Sequence, residues 1–165
     1  MNKFIITGHP RTRSAWFAAY LTCGDTYCSH EGIYYNNWPE GYENVGTADS
    51  SFPFLKSLVD IELGDYKLIV IERDIETVRA SVLRLGLPDQ HGWLEFCEGM
   101  LKMMKPGIRV KFEEIDQKLE QIHEYLEIPF DQRRADLFKE MHIESRHYRD
   151  WQPEKDQYYQ EIMNG

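Results

Sequence analysis

The sequence predicts an α/β fold, a single three-layer domain with a mainly parallel central sheet, and three observations predict it. Short, continuous apolar runs with β-branched residues, Phe4-Ile5-Ile6-Thr7 and Lys67-Leu68-Ile69-Val70-Ile71-Glu72, read as strands buried on both faces. Segments of helical period alternate with such strands, which is the order that builds a parallel sheet through right-handed crossovers. Polar, basic and hydroxyl residues gather directly after strand ends, where ligands of parallel sheets bind.

Each element follows from local pattern. The strand at Phe4 passes through Gly8-His9-Pro10-Arg11-Thr12-Arg13-Ser14 into a helix over Ala15 to Leu21. Asp25 to Ser29 reads as a second short strand, ending at His30-Glu31-Gly32. Ile33 to Asp49, with Gly, Pro, Asn and the aromatic residues Tyr34, Tyr35, Trp38 and Tyr42, has no clean period and reads as a long substrate-binding loop or lid. Those aromatic residues suit either stacking on an acceptor or packing of the loop itself. Ser50 or Ser51 suits a helix cap, with Pro53 in the first turn and Phe54, Leu55, Leu58 and Val59 as the apolar face.

After the strand ending at Glu72, Asp74 suits an N-cap. Ile75, Val78, Val82 and Leu85 follow at helical spacing, and Gly86 and Pro88 form a stop. A further helix is predicted from Gln90 to Met104 and a short strand from Ile108 to Phe112. Glu113 to Leu126 reads as one helix with Ile115, Leu119, Ile122 and Leu126 inward. Asp131 to Met141 is a last helix. Residues 144–165 form a closing segment or tail.

At 165 residues the chain supports one core rather than two. A net charge of −9 argues against broad nucleic-acid or anionic-membrane binding, which draws on clustered Lys and Arg. The N-terminus enters a strand with no leader-like apolar stretch, and no run is long enough to span a bilayer, so a cytosolic protein is expected. Cys23, Cys28 and Cys97 lack a zinc-ligand spacing and are expected to be reduced.

The chemistry concentrates in the first strand–loop–helix unit. Backbone N–H groups at a helix start have no intrahelical partner and carry the positive end of the helix dipole, so an oxyanion settles there. Arg11, Thr12, Arg13 and Ser14 add side-chain donors. The loop contains no Gly-Lys-Ser/Thr, which argues against an ordinary nucleoside triphosphate.

The stretch Gly8 to Trp16 resembles the 5′-phosphosulfate loop of the sulfotransferase family, whose usual form is Pro, Lys or Arg, Ser, Gly, Thr, Thr or Ser, then often Trp. Arg73-Asp74-Ile75-Glu76-Thr77-Val78-Arg79-Ala80-Ser81 resembles the family's 3′-phosphate motif, a strand-ending Arg followed eight positions later by a helical Ser. Val110 to Ile115 and Arg146 to Trp151 are similar, less specifically, to later family segments, and the short chain is similar in length to compact members encoded by phages. Two departures stand out: Arg13 occupies the Gly position, and Ala15 replaces a hydroxyl residue.

The resemblance implies a P-loop nucleotide-hydrolase-like sulfotransferase fold and sulfuryl transfer from 3′-phosphoadenosine 5′-phosphosulfate to a small-molecule or carbohydrate hydroxyl or amine, without a metal. It implies donor binding by Pro10, Arg11, Thr12, Arg13, Ser14, Ala15, Trp16, Arg73, Ser81 and Arg146. Arg11 would offset charge on the leaving nucleotide, Thr12 and Ser14 would hold the phosphosulfate, and Arg73 and Ser81 the 3′-phosphate. Glu31 is the first choice of base and His30 the second. Neighbours on an extended strand face opposite ways, so one of the two is expected to reach the donor. Two rival readings are a non-catalytic nucleotide-binding module, favoured by Arg13, and a small-molecule or nucleotide kinase.

Overall fold

The computed structural model describes residues 1–32, 38–58, 66–87, 92–141 and 143. Tyr34, Tyr35, Val59, Pro88, Gln90, His91 and the tail with Arg146 lie outside the described residues. The chain runs β1 (Asn2–Gly8), α1 (Ser14–Leu21), β2 (Thr26–His30), β3 (Asn44–Asp49), α2 (Phe52–Leu58), β4 (Tyr66–Glu72), α3 (Ile75–Arg84), α4 (Trp93–Met103) and β5 (Ile108–Lys111). A 3-10 helix (Phe112–Gln117), α5 (Leu119–Leu126) and α6 (Gln132–Lys139) complete it.

The strands form one five-stranded sheet in the order β2-β3-β1-β4-β5, and every pairing is parallel. Side chains alternate across it. Phe4, Ile6, Ile69 and Ile71 join Phe17, Tyr20, Ile115, Leu119 and Phe138 in the larger core under α1, α5 and α6. Ile5 and Leu68 face the other way onto Phe52 and Leu55 of α2. Both faces are thus covered, which is why these strands read as continuous apolar runs instead of alternating ones.

Three expectations need correction. Asn44–Asp49, assigned to a loop or lid, is a strand that lies between β1 and β2. Its small residues hid it: a Cβ at Gly46 would lie 2.3 Å from the Phe4 ring, so the neighbouring strand demands the residue that local propensity disfavours. The single helix expected from Glu113 to Leu126 is divided at Lys118, whose N–H is shared by the carbonyls of Glu114 and Ile115 at 3.0 Å each. Ile115, Leu119, Ile122 and Leu126 are nevertheless all buried. Phe54 and Leu85, expected on apolar faces, are 37% and 54% exposed.

Candidate anion-binding active site

Because β1 lies at the centre of the sheet, the turn after it opens between the ends of β3 and β4. Gly8 is required there. A Cβ on it would meet the Ile71 carbonyl of β4 at 2.5 Å and Thr12 Oγ1 at 2.9 Å. Arg11 and Arg13 adopt left-handed backbone, with φ of 68° and 64°. Thr12 lies between them outside that region, and such alternation turns successive N–H groups towards one point. Arg13 serves as the N-cap of α1 and makes no side-chain cap bond, so the helix start relies on backbone donors.

The side chains divide between structure and cavity. Thr12 is buried and its hydroxyl donates to the His9 carbonyl at 2.6 Å, which closes the turn. Trp16 is 3% exposed, stacks on Tyr20 with centroids 4.8 Å apart, and donates its Nε1–H to the Phe138 carbonyl at 2.8 Å. Arg13 reaches Asp116 at 2.6 Å and lies over the Trp16 and Phe112 rings. His9, which sequence reading left without a role, is fully enclosed and pairs through Nε2 with Glu98 of α4 at 2.7 Å. The loop is thereby pinned to helices on both sides of the sheet.

The second motif meets the first. Asp74 caps α3 by accepting from the Thr77 N–H at 2.8 Å, and this directs the next turns of α3 across the loop. Ser81 then stands 3.4 Å from Arg11 Nε. Arg73, at the end of β4, donates to the Arg11 carbonyl and lies 4.0 Å over the Phe112 ring. Burial lowers the proton affinity of the Arg73 guanidinium; Glu113 opposes the shift, while Arg11, Arg84 and Arg13 add to it. Arg11, Arg13 and Arg73 thus border one space, an arrangement that suits an anion.

One cavity of about 510 Å³ is lined by Pro10, Arg11, Arg13, Ser14, Ala15 and Trp16 together with His30, Glu31, Arg73 and Ser81. Leu85, Leu87, Phe112, Met141 and Ile143 supply its apolar side. Residues from six separate stretches of chain thus converge beside the carboxyl ends of the strands. Thr12 is absent from this lining because its side chain turns inward. Contrary to the strand-alternation argument, His30 and Glu31 both line the cavity. The chain leaves β2 at His30, and Glu31 turns left-handed at φ 54°, which ends the alternation. His30 Nε2 lies 3.1 Å from Ser14 Oγ and 3.8 Å from Glu31 Oε1.

Ser50, the residue after β3, also lines the cavity and donates to Glu31 Oε1 at 3.1 Å. The sequence pattern offers Ser50 only as a helix cap; its place in the cavity depends on β3, and a strand end beside the loop is the signal that finds it. Among the described residues no cluster of three His, Cys, Asp or Glu side chains is placed to hold a metal, and no helix is long and apolar enough to cross a membrane.

Comparison with protein-family models finds no match, and comparison with curated proteins finds none. Among solved structures, the chain is similar to the crystal structure of mouse sulfotransferase SULT7A1 complexed with PAP, with a TM-score of 0.49 and 12% sequence identity. The likeness is distant. It covers 83% of this chain and 62% of that one, so this chain spans less than two thirds of that protein's length.

Proposed function

We propose that this protein transfers a sulfuryl group from 3′-phosphoadenosine 5′-phosphosulfate to a hydroxyl or amine of a small-molecule or carbohydrate acceptor. The observation that carries the reading is the single cavity in which Arg11, Arg13, Ser14, Arg73 and Ser81 meet His30 and Glu31. A donor with phosphate groups at two separated positions needs two anion subsites. The loop with the start of α1 supplies one, and Arg73 with Ser81 supplies the other.

The donor brings an activated sulfuryl group whose bond to the nucleotide phosphate is broken as the acceptor oxygen or nitrogen bonds to sulfur. The nucleotide leaves with the bonding electron pair. In this reading Arg11 and the loop amides offset charge growing on the leaving oxygen, and Ser14 orients the sulfuryl end. Arg73 and Ser81 hold the 3′-phosphate and so distinguish this donor from ATP. His30 or Glu31 takes the acceptor proton. Arg13, at the family's Gly position, keeps a left-handed backbone, the conformation that Gly adopts without strain. The conformation costs an L-residue roughly 1–2 kcal/mol, and the side chain is anchored on Asp116.

Calorimetric titration with 3′-phosphoadenosine 5′-phosphate, ATP plus magnesium, and AMP tests the assignment. Binding of the 3′-phosphorylated nucleotide in preference to the others is expected, and Arg73→Ala should weaken it about 10- to 100-fold, the worth of a charge-assisted contact. Preference for ATP with magnesium, or binding that ignores the 3′-phosphate, would exclude this donor.

A further inference from the structure

Glu31 occupies an awkward place for a group that must sit still. Its side chain is 48% exposed and its backbone is left-handed, so burial alone does not fix where the carboxylate points. Ser50 does restrict it. That residue is 9% exposed, held at the end of β3, and its hydroxyl donates to Glu31 Oε1 at 3.1 Å. The same oxygen is the one 3.8 Å from His30 Nε2, and that nitrogen is 3.1 Å from Ser14 Oγ on the loop. The four side chains line one wall of the cavity from the end of β3 to the first residue of α1, as two hydrogen-bonded pairs, Ser50 with Glu31 and His30 with Ser14, that face each other across 3.8 Å.

We propose that Ser50 is a positioning residue that holds the Glu31 carboxylate against His30, so that the two act as one proton acceptor beside the anion loop. Its purpose rests on the transferase reading above; its geometry does not. A proton passing from an acceptor hydroxyl to His30 Nε2 lies between Ser14 Oγ and Glu31 Oε1. The acceptor oxygen keeps the O–H electron pair and forms the new bond to sulfur, and Glu31 stabilises the imidazolium that remains.

The charges facing the pair explain why such a carboxylate matters. Arg11 and Arg13 from the loop and Arg73 from the end of β4 border the same cavity, and each disfavours a second positive charge on His30. On the β3 side, Asp49 is fully buried, and its Oδ1 accepts from the Ser51 N–H at 2.8 Å and from the Ser51 hydroxyl at 2.5 Å. Asp116 is paired with Arg13. Among the described residues, Glu31 is a carboxylate 3.8 Å from His30 Nε2 that also borders the cavity.

The test follows the His30 ring by NMR across pH in the ligand-free full-length protein, in the wild type and in Ser50→Ala, Ser50→Thr and Glu31→Gln. Glu31→Gln should move the His30 titration to lower pH, the direction expected when an opposite charge is removed. Ser50→Ala should reproduce a substantial part of that fall, Ser50→Thr should restore the wild-type value, and thermal unfolding should show all four proteins folded. A wild-type titration curve in Ser50→Ala would overturn the positioning role, since Glu31 would then hold its place unaided. An unchanged curve in Glu31→Gln would overturn the pair itself. Calorimetry with 3′-phosphoadenosine 5′-phosphate on the wild type reports separately on the donor. Failure to bind would remove the transferase reading and leave the NMR result standing.

Discussion

Gly8 is the residue on which the loop's path depends. The atom nearest to an added Cβ is a backbone carbonyl of β4, which cannot swing aside as a side chain does. Gly8→Ala should therefore destabilise the protein by about 1–3 kcal/mol, as overpacking does. For a chain of this size that corresponds to a fall of roughly 3–10 °C in Tm. A thermal melt that matches the wild type would show that β1 and β4 separate more easily than their packing indicates. At this scale the sequence was readable where chemistry is local: Arg11, Ser14, Arg73 and Ser81 reach one cavity as their motifs suggest. It was less readable where a side chain had a choice of partners. The Thr12 hydroxyl is used by the His9 carbonyl and the Trp16 indole by the Phe138 carbonyl, and those acceptors come from backbone conformation and a distant helix.

Helix α1 carries the site at one end and an unusual cap at the other. Every residue from Ala15 to Leu21 is buried, so its last carbonyls have no access to water. Arg134 of α6 answers them: Nε donates to Tyr20 O at 2.8 Å, and one terminal nitrogen donates to Ala19 O and Thr22 O at 3.0 Å each. A cation at a helix C-terminus also complements the dipole. Arg134→Met keeps much of the volume over Phe138 but leaves those carbonyls unpaired, and should cost about 3 kcal/mol. Denaturant unfolding checks this, with Arg134→Lys expected to recover part of the loss. An Arg134→Met protein as stable as the wild type would mean that water reaches the end of α1. Helices and apolar strands were legible as elements because period and capping are local signals. Strand β3 was not, since Gly46 and Ala48 are chosen by Phe4 and the neighbouring strands, not by their own propensity.

Across the whole molecule, stability should depend on pH through the contact between α5 and α1. His123 Nδ1 lies 2.7 Å from the Pro129 carbonyl, which makes that nitrogen the donor and leaves Nε2 to accept from the Tyr20 hydroxyl at 3.0 Å. Burial lowers the proton affinity of this imidazole, and Arg134 adds to the effect, against the pull of the Pro129 and Ile128 backbone bonds. The unfolded chain then takes up the proton first. The stability tied to neutral His123 is present above about pH 6.5 and is lost as pH falls from there towards the lower folded pKa. Unfolding free energies measured by urea titration between pH 7.5 and 5 should fall with pH, and more shallowly in His123→Gln. Equal slopes would place the titrating group elsewhere.

By itself the sequence determined the alternation of strands and helices, the Gly-containing turn between β1 and α1, the strand-ending Arg73 and the capped start of α3, because each is written in residues close together along the chain. Only the tertiary structure decided that β1 runs between β3 and β4. It likewise brought His30 and Glu31 to the same wall and set Ser50 beside them. Those outcomes depend on which strands become neighbours, and that is settled by the fit of side chains remote in sequence, Phe4 against Gly46 foremost, rather than by the preference of any single segment.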